Sequence, residues 1–218
     1  SFKLIMSYFY ERLFYGRGTR LVMGNALTGR MLKAARKLGV DIAVNARVTD
    51  IHMDNGRASA IVVSQGNATR TIAIKGGIVL ASGGFSRHPQ KRETYFPKPV
   101  PQYSPAAPGH TGELHDIVLG LGAHYGQDAY QPCFWAPVSL RKRADGSMAV
   151  FPHFVFDRSK PGTVCVGKDG RRFVNESTSY HLFGAAQFAE NKNGSTIPAF
   201  IITDSVGLKK YGLGMVRP

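Results

Sequence analysis

The chain has 218 residues, 43% of them hydrophobic and 11% aromatic, which is enough for a sizeable core and excludes a disordered segment. No apolar run is long enough to span a bilayer, so no membrane-crossing helix is expected. A formal charge of +14 admits a nucleic acid, a membrane surface or a small anion as partner. The basic residues are scattered, however, apart from Arg141-Lys142-Arg143 and Arg171-Arg172, and no aromatic residues interleave with them.

Taken in chain order, residues 2–15 are aromatic-rich and predict a helix with a strong apolar face. Gly16, Gly18 and Gly24 then interrupt the pattern. Leu27, Met31, Ala34, Ala35 and Leu38 recur at helical spacing, with Arg36 and Lys37 in the last turn and Gly39 as the stop signal. Residues 41–44 read as a short strand, and Val48, Ile51 and Met53 continue in extended form. Asp54-Asn55-Gly56 predicts a hairpin turn, because Asn-Gly accepts positive φ. Residues 58–63 and 69–74 follow as strands around Gly66-Asn67. The run Ile78-Val79-Leu80-Ala81 reads as a fully buried strand ending at Ser82-Gly83-Gly84. Prolines from Pro97 to Pro108 predict an extended loop, and residues 113–122 a helix opened by Thr111. A second Pro-containing stretch, residues 132–152, marks the expected domain boundary. A helix is expected after Tyr180.

Three segments carry chemistry. Ala81-Ser82-Gly83-Gly84-Phe85 ends a predicted strand in two glycines, which lets backbone approach a ligand and turn sharply. Gly109-His110-Thr111-Gly112-Glu113 opens a helix, whose free backbone amides suit anionic or electron-rich groups; plain N-capping by Thr111 is the simpler reading. Gly170-Arg171-Arg172-Phe173-Val174-Asn175-Glu176 is a turn and strand leading to a polar helix start, followed by Tyr180 and His181. Gly16-Arg17-Gly18 and Gly120-Leu121-Gly122 lack the full dinucleotide spacing between strand and helix.

In this order and spacing the three segments resemble the FAD-dependent fumarate reductase / 3-ketosteroid dehydrogenase superfamily. Its "ATGGF"-like strand end appears here as residues 81–85. Its "TGDG"-like turn appears as Thr111-Gly112-Glu113-Leu114, with a longer acid and the second glycine lost. Its "GxRFxNE" segment is intact. Arg47-Val48-Thr49 resembles the family's extended segment past the adenine, and the resemblance runs from about Gly18 to the end. It implies an α/β fold: a partial FAD-binding, Rossmann-like domain with a β-meander up to Gln131, then a partial α+β capping domain over 132–218. The implied cofactor is FAD, lined by Val48, Ala81, Ser82, Gly83, Gly84, Phe85, Thr111, Gly112 and Glu113. The family's dinucleotide fingerprint and its last flavin-binding segment are expected outside this chain, so the isolated chain is expected to be inactive.

Tyr180 sits where fumarate reductases carry an arginine and the 3-ketosteroid Δ1-dehydrogenase branch a tyrosine. The resemblance therefore implies a CH–CH oxidoreductase in which Tyr180 is the acid/base and the flavin takes the hydride. Arg172 and His181 are the nearby groups expected to ease ionisation of the phenol, and His153 and His181 are weaker candidates for the substrate pocket. A fumarate-reductase-like reductase of unsaturated acids and a non-catalytic basic binding module stay open beside it. The expected partner is a small molecule, a steroid or another ketone, with no nucleic acid and no metal. Lone Cys133 and Cys165 without CxxC spacing, and the lack of a signal-peptide pattern, point to the cytoplasm.

Overall fold

The computed structural model describes residues 2–126 and 128–216. Two helices come first, α1 (Phe2–Phe14) and α2 (Met23–Lys37), close to the expected bounds. Gly39 follows α2 at φ 73°, a left-handed conformation that suits a residue without Cβ. Neither helix buries a residue among the described ones.

A three-stranded antiparallel meander follows, β1 (Ala46–Asp54), β2 (Arg57–Gln65) and β3 (Ala68–Ala73), in the order β1-β2-β3. Asn55 and Gly56 turn β1 into β2 at φ 48° and 76°, as a two-residue hairpin requires. Ile51 and Val63 form the buried face of this sheet.

Two expected strands do not form. Residues 41–44 are irregular and are tied to the meander by Gln65 Nε2, which donates to the Val44 carbonyl at 2.8 Å. Residues 78–81 are also irregular, and Val79 is 92% exposed. An apolar run becomes a buried strand only where flanking strands supply its hydrogen bonds, and no described residue does so here.

Helix α3 (Pro89–Tyr95) was not expected. Its signal is Pro89 at the first helical position, with His88 Nδ1 accepting from Lys91 N at 3.3 Å. After the expected loop, α4 (Glu113–Gly120) begins from Gly112 at φ 71°, not from a Thr111 cap. Arg47 Nε lies 2.9 Å from Glu113 Oε2, an ion pair that ties the start of α4 to β1.

The stretch expected as a boundary holds a hairpin, β4 (Val138–Lys142) with β5 (Met148–Pro152). Then come α5 (Val155–Arg158), β6 (Thr163–Val166), α6 (Tyr180–Ala189), β7 (Phe200–Thr203) and α7 (Ser205–Tyr211), with β6 and β7 antiparallel. The core gathers here, around Trp135, Cys165, Val166, Phe183 and Ala185. The fold is thus mixed α and β, and all its strand pairings among the described residues are antiparallel. No described helix is long and apolar enough to cross a membrane.

Candidate active site

A cavity of about 1700 Å³ opens between the loop bearing Gly84, Ser86 and His110 on one side and β4, β5 and α6 on the other. The first and second expected segments meet at its edge. Gly83 adopts φ 85° and faces the His110 ring, which an added Cβ would approach to 3.0 Å. Its carbonyl pairs with His115 Nε2 at 3.0 Å, and His115 Nδ1 with the Tyr125 hydroxyl at 2.9 Å. Phe85 anchors the turn among Tyr95, Phe96, His115 and Tyr125, with centroids 5.5–6.1 Å apart. A Cβ at Gly112 would come within 2.7 Å of Phe85 Cβ, so both the close approach and the positive φ call for glycine there. Gly84 differs: nothing lies within 4 Å of where its Cβ would be, and it presents bare backbone to the cavity.

The ion pair to Arg47 brings Glu113 and the 47–49 segment together, so Val48 belongs to the same neighbourhood as residues 111–113. Ala81 and Ser82 stand in the irregular stretch that leads into Gly83.

The third segment is held by buried charge. Glu176 is buried and accepts from Cys165 N at 2.9 Å and from Arg172 Nε at 3.1 Å. Burial would raise this carboxyl, but Arg172 and the Cys165 amide hold it below its ordinary value. Arg158 is fully buried and donates to the carbonyls of His153 (3.1 Å), Glu176 (2.7 Å) and Thr178 (2.8 Å), with its guanidinium 4.5 Å from the Phe183 ring. The sequence offers no motif around Arg158 from which this role could be read. Its three acceptors fix the backbone just before α6, where Ser179 Oγ caps the helix by accepting from Leu182 N at 3.2 Å.

Tyr180 therefore stands at the first position of α6. It is 41% exposed and packs edge-on against Phe154, 5.4 Å between centroids; Phe154 lines the cavity. The two groups expected to tune it are engaged elsewhere. Arg172 pairs with Glu176, and His181 Nδ1 accepts from Trp135 N at 3.2 Å while its ring lies 5.1 Å from Phe134.

His153 lines the cavity and is buried. Its Nε2 lies 2.5 Å from Ser139 Oγ and its Nδ1 pairs with Asp157, which also accepts from Lys160 Nζ at 2.7 Å and Gly214 N at 3.1 Å. Burial would raise Asp157, yet Lys160, the Gly214 amide and His153 together hold it below its ordinary value. Cys133 and Cys165 are both free thiols pushed up to about 11 by burial, so neither is a thiolate near neutral pH. Arg92 also lines the cavity, on the helix the sequence reading missed.

Comparison with known proteins bears on this geometry. The FAD binding domain family matches residues 7–214. A 4-oxocyclohex-2-ene-1-carboxylate 5-dehydrogenase of Sinomonas cyclohexanicum is 30% identical over 99% of this chain and 37% of its own length. A 3-oxosteroid 1-dehydrogenase of Mycolicibacterium smegmatis is 29% identical over 92% of the chain and 36% of its own length. The crystal structure of 3-ketosteroid delta1-dehydrogenase from Sterolibacterium denitrificans, in complex with 1,4-androstadiene-3,17-dione, superposes with a TM-score of 0.84 at 28% identity, over 98% of this chain and 39% of that one. The chain thus spans little more than a third of the proteins it matches.

Proposed function

Since this chain belongs to the FAD binding domain family, we propose that it forms part of an FAD-dependent dehydrogenase that oxidises the CH–CH bond beside a cyclic ketone. One observation carries the reading: a large cavity has the bare backbone of Gly84 and the Phe154 ring in its walls, and Tyr180, which is not itself a lining residue, packs edge-on against Phe154. The residues present fit FAD. Gly84 leaves open space where a side chain would stand, and residues 81–85, 111–113 and Val48 are gathered on that side of the molecule.

FAD, when bound, supplies the hydride acceptor. This chain's residues do the rest. Tyr180 moves the proton, and the apolar walls around Trp135, Phe154 and Phe183 exclude water and orient the ring. In this reading residues 1–131 belong to the cofactor domain and 132–218 to the capping domain. The substrate is a steroid or a smaller cyclic ketone, and the protein works in the cytoplasm, where Cys133 and Cys165 remain thiols.

The test uses the protein in its full natural length. It should be yellow with bound flavin and reduce an artificial acceptor when given cyclic 3-ketones. Tyr180→Phe should lower kcat by about 10²–10⁴-fold with an unchanged flavin spectrum, the usual contribution of a positioned acid/base. A colourless protein that FAD cannot reconstitute, or a Tyr180→Phe variant at full rate, would overturn the reading.

A further inference from the structure

One polar network in the cavity wall plays no part in the hydride and proton transfer proposed above. Ser139 stands on β4 and His153 directly after β5, and both line the cavity. Ser139 Oγ lies 2.5 Å from His153 Nε2, and the other ring nitrogen, Nδ1, meets Asp157 Oδ2. Asp157 Oδ1 takes two donors of its own, Lys160 Nζ at 2.7 Å and Gly214 N at 3.1 Å.

These contacts fix where each proton sits. Burial would raise Asp157, but its donors hold it below its ordinary value, so at neutral pH it is a carboxylate and can only accept. The proton between it and Nδ1 therefore belongs to His153. Lys160 already answers the carboxylate's charge, and the ring is 3% exposed, so a second cation there would go unbalanced. The imidazole is neutral with its one proton on Nδ1, and Nε2 accepts from Ser139. That uses the only hydrogen of the serine hydroxyl. Oγ has no other hydrogen-bond partner among the described residues, so what it offers the cavity is an acceptor alone. The same order of groups activates serine nucleophiles, but that chemistry also needs preorganised donors for an oxyanion, and Ser139 sits within a hairpin with its backbone paired to Phe151.

An acceptor-only group in a cavity wall recognises a donor and disfavours a carbonyl in the same place. No Asp or Glu lines the cavity to balance an ammonium, so the donor is a neutral one. We propose that Ser139 is a specificity residue that takes a hydroxyl carried by the ring ketone, with His153 and Asp157 as the positioning residues that set its polarity. This rests on the cavity being the substrate site of a dehydrogenase, and it narrows the substrate to hydroxylated cyclic ketones.

The test is calorimetry on the protein in its full natural length, under dithionite so that no ketone is oxidised. Two alcohol–ketone pairs place the group at different distances from the ring ketone: 4-hydroxycyclohexanone with cyclohexane-1,4-dione, and testosterone with 4-androstene-3,17-dione. In at least one pair the alcohol should bind about tenfold more tightly than the ketone. Ser139→Ala should abolish the preference, and Asp157→Asn should turn it round. The amide oxygen stays with Lys160 and Gly214, both donors, so its NH2 faces Nδ1, the imidazole proton moves to Nε2, and the serine hydrogen is released to the cavity. A merely structural role for Asp157 would weaken both members of a pair alike. The proposal falls if the native protein binds neither alcohol more tightly than its ketone, if Ser139→Ala keeps the preference, or if a folded Asp157→Asn leaves it unchanged. Ser139→Ala leaves the His153–Asp157 pair in place, so the test stands even where Asp157→Asn does not fold. An alcohol preference in a protein that oxidises no cyclic ketone would sink the dehydrogenase reading and keep the hydroxyl subsite.

Discussion

The two ends of this chain solve the burial problem differently. From Trp135 onward, apolar and charged groups are buried together: Cys165, Val166, Phe183 and Ala185 beside Arg158 and Glu176. Over residues 2–44 the apolar side chains are just as dense, yet Phe2, Leu13, Met23, Leu27 and Leu38 are all more than half exposed. Exposed apolar side chains in this number leave these two helices without a cover among the described residues, whereas the other end is closed by its own buried hydrogen bonds. A helical pattern therefore says that a face is apolar, and says nothing about what covers it.

The largest expected effect breaks this contrast at its strongest point. Arg158→Ala leaves the carbonyls of His153, Glu176 and Thr178 without their buried donor and should cost about 3–5 kcal/mol in denaturant unfolding, while Leu4→Ala in α1 should stay within about 0.5 kcal/mol. If Leu4→Ala proved as damaging as Arg158→Ala, α1 would be covered in solution and the contrast would fall.

Next comes Gly184→Ala. The new methyl would run into Trp135 Cβ across the cavity wall, so overpacking should cost about 1–3 kcal/mol and shift the tryptophan emission. The matching change at Gly16, where nothing lies within 4 Å, serves as the neutral reference for the other end.

The smallest effect is on pH dependence. Asp157 and Glu176 titrate below their ordinary values of 3.8 and 4.5. A carboxyl depressed in the folded state contributes stability that is complete above its unfolded pKa and is lost as pH falls through the folded one. The Tm should therefore be flat above about pH 5 and decline below pH 4. Asp157→Asn should make that decline shallower. An unchanged acid profile in the variant would remove Asp157 from the network that holds this end together.

Local signals read well where the physics is local. The two opening helices, the Asn55-Gly56 hairpin, the meander and the helix at Tyr180 follow from periodicity, Asn-Gly chemistry and a polar helix start, each decided within a few residues. Two strand readings failed for one reason. Residues 41–44 and 78–81 have strand-like composition, but a strand is defined by its neighbour, and composition does not say whether one is present. Helix α3 was hidden in a stretch dominated by prolines, although Pro89 was itself its start signal.

The motifs at residues 81–85, 111–113 and 170–176, and with them the family, were legible from order and spacing, because turns that need glycine and backbone that must approach a ligand leave marks on the chain itself. What only the tertiary structure decided is which side chains those motifs meet. Arg158 is an ordinary residue in the sequence, and the motif that ends in Glu176 does not say what that carboxylate pairs with. Enclosure turns them into buried charges that each find partners far along the chain. Burial, and the pairing that burial enforces, are properties of the surroundings, and these exist only once distant segments have come together.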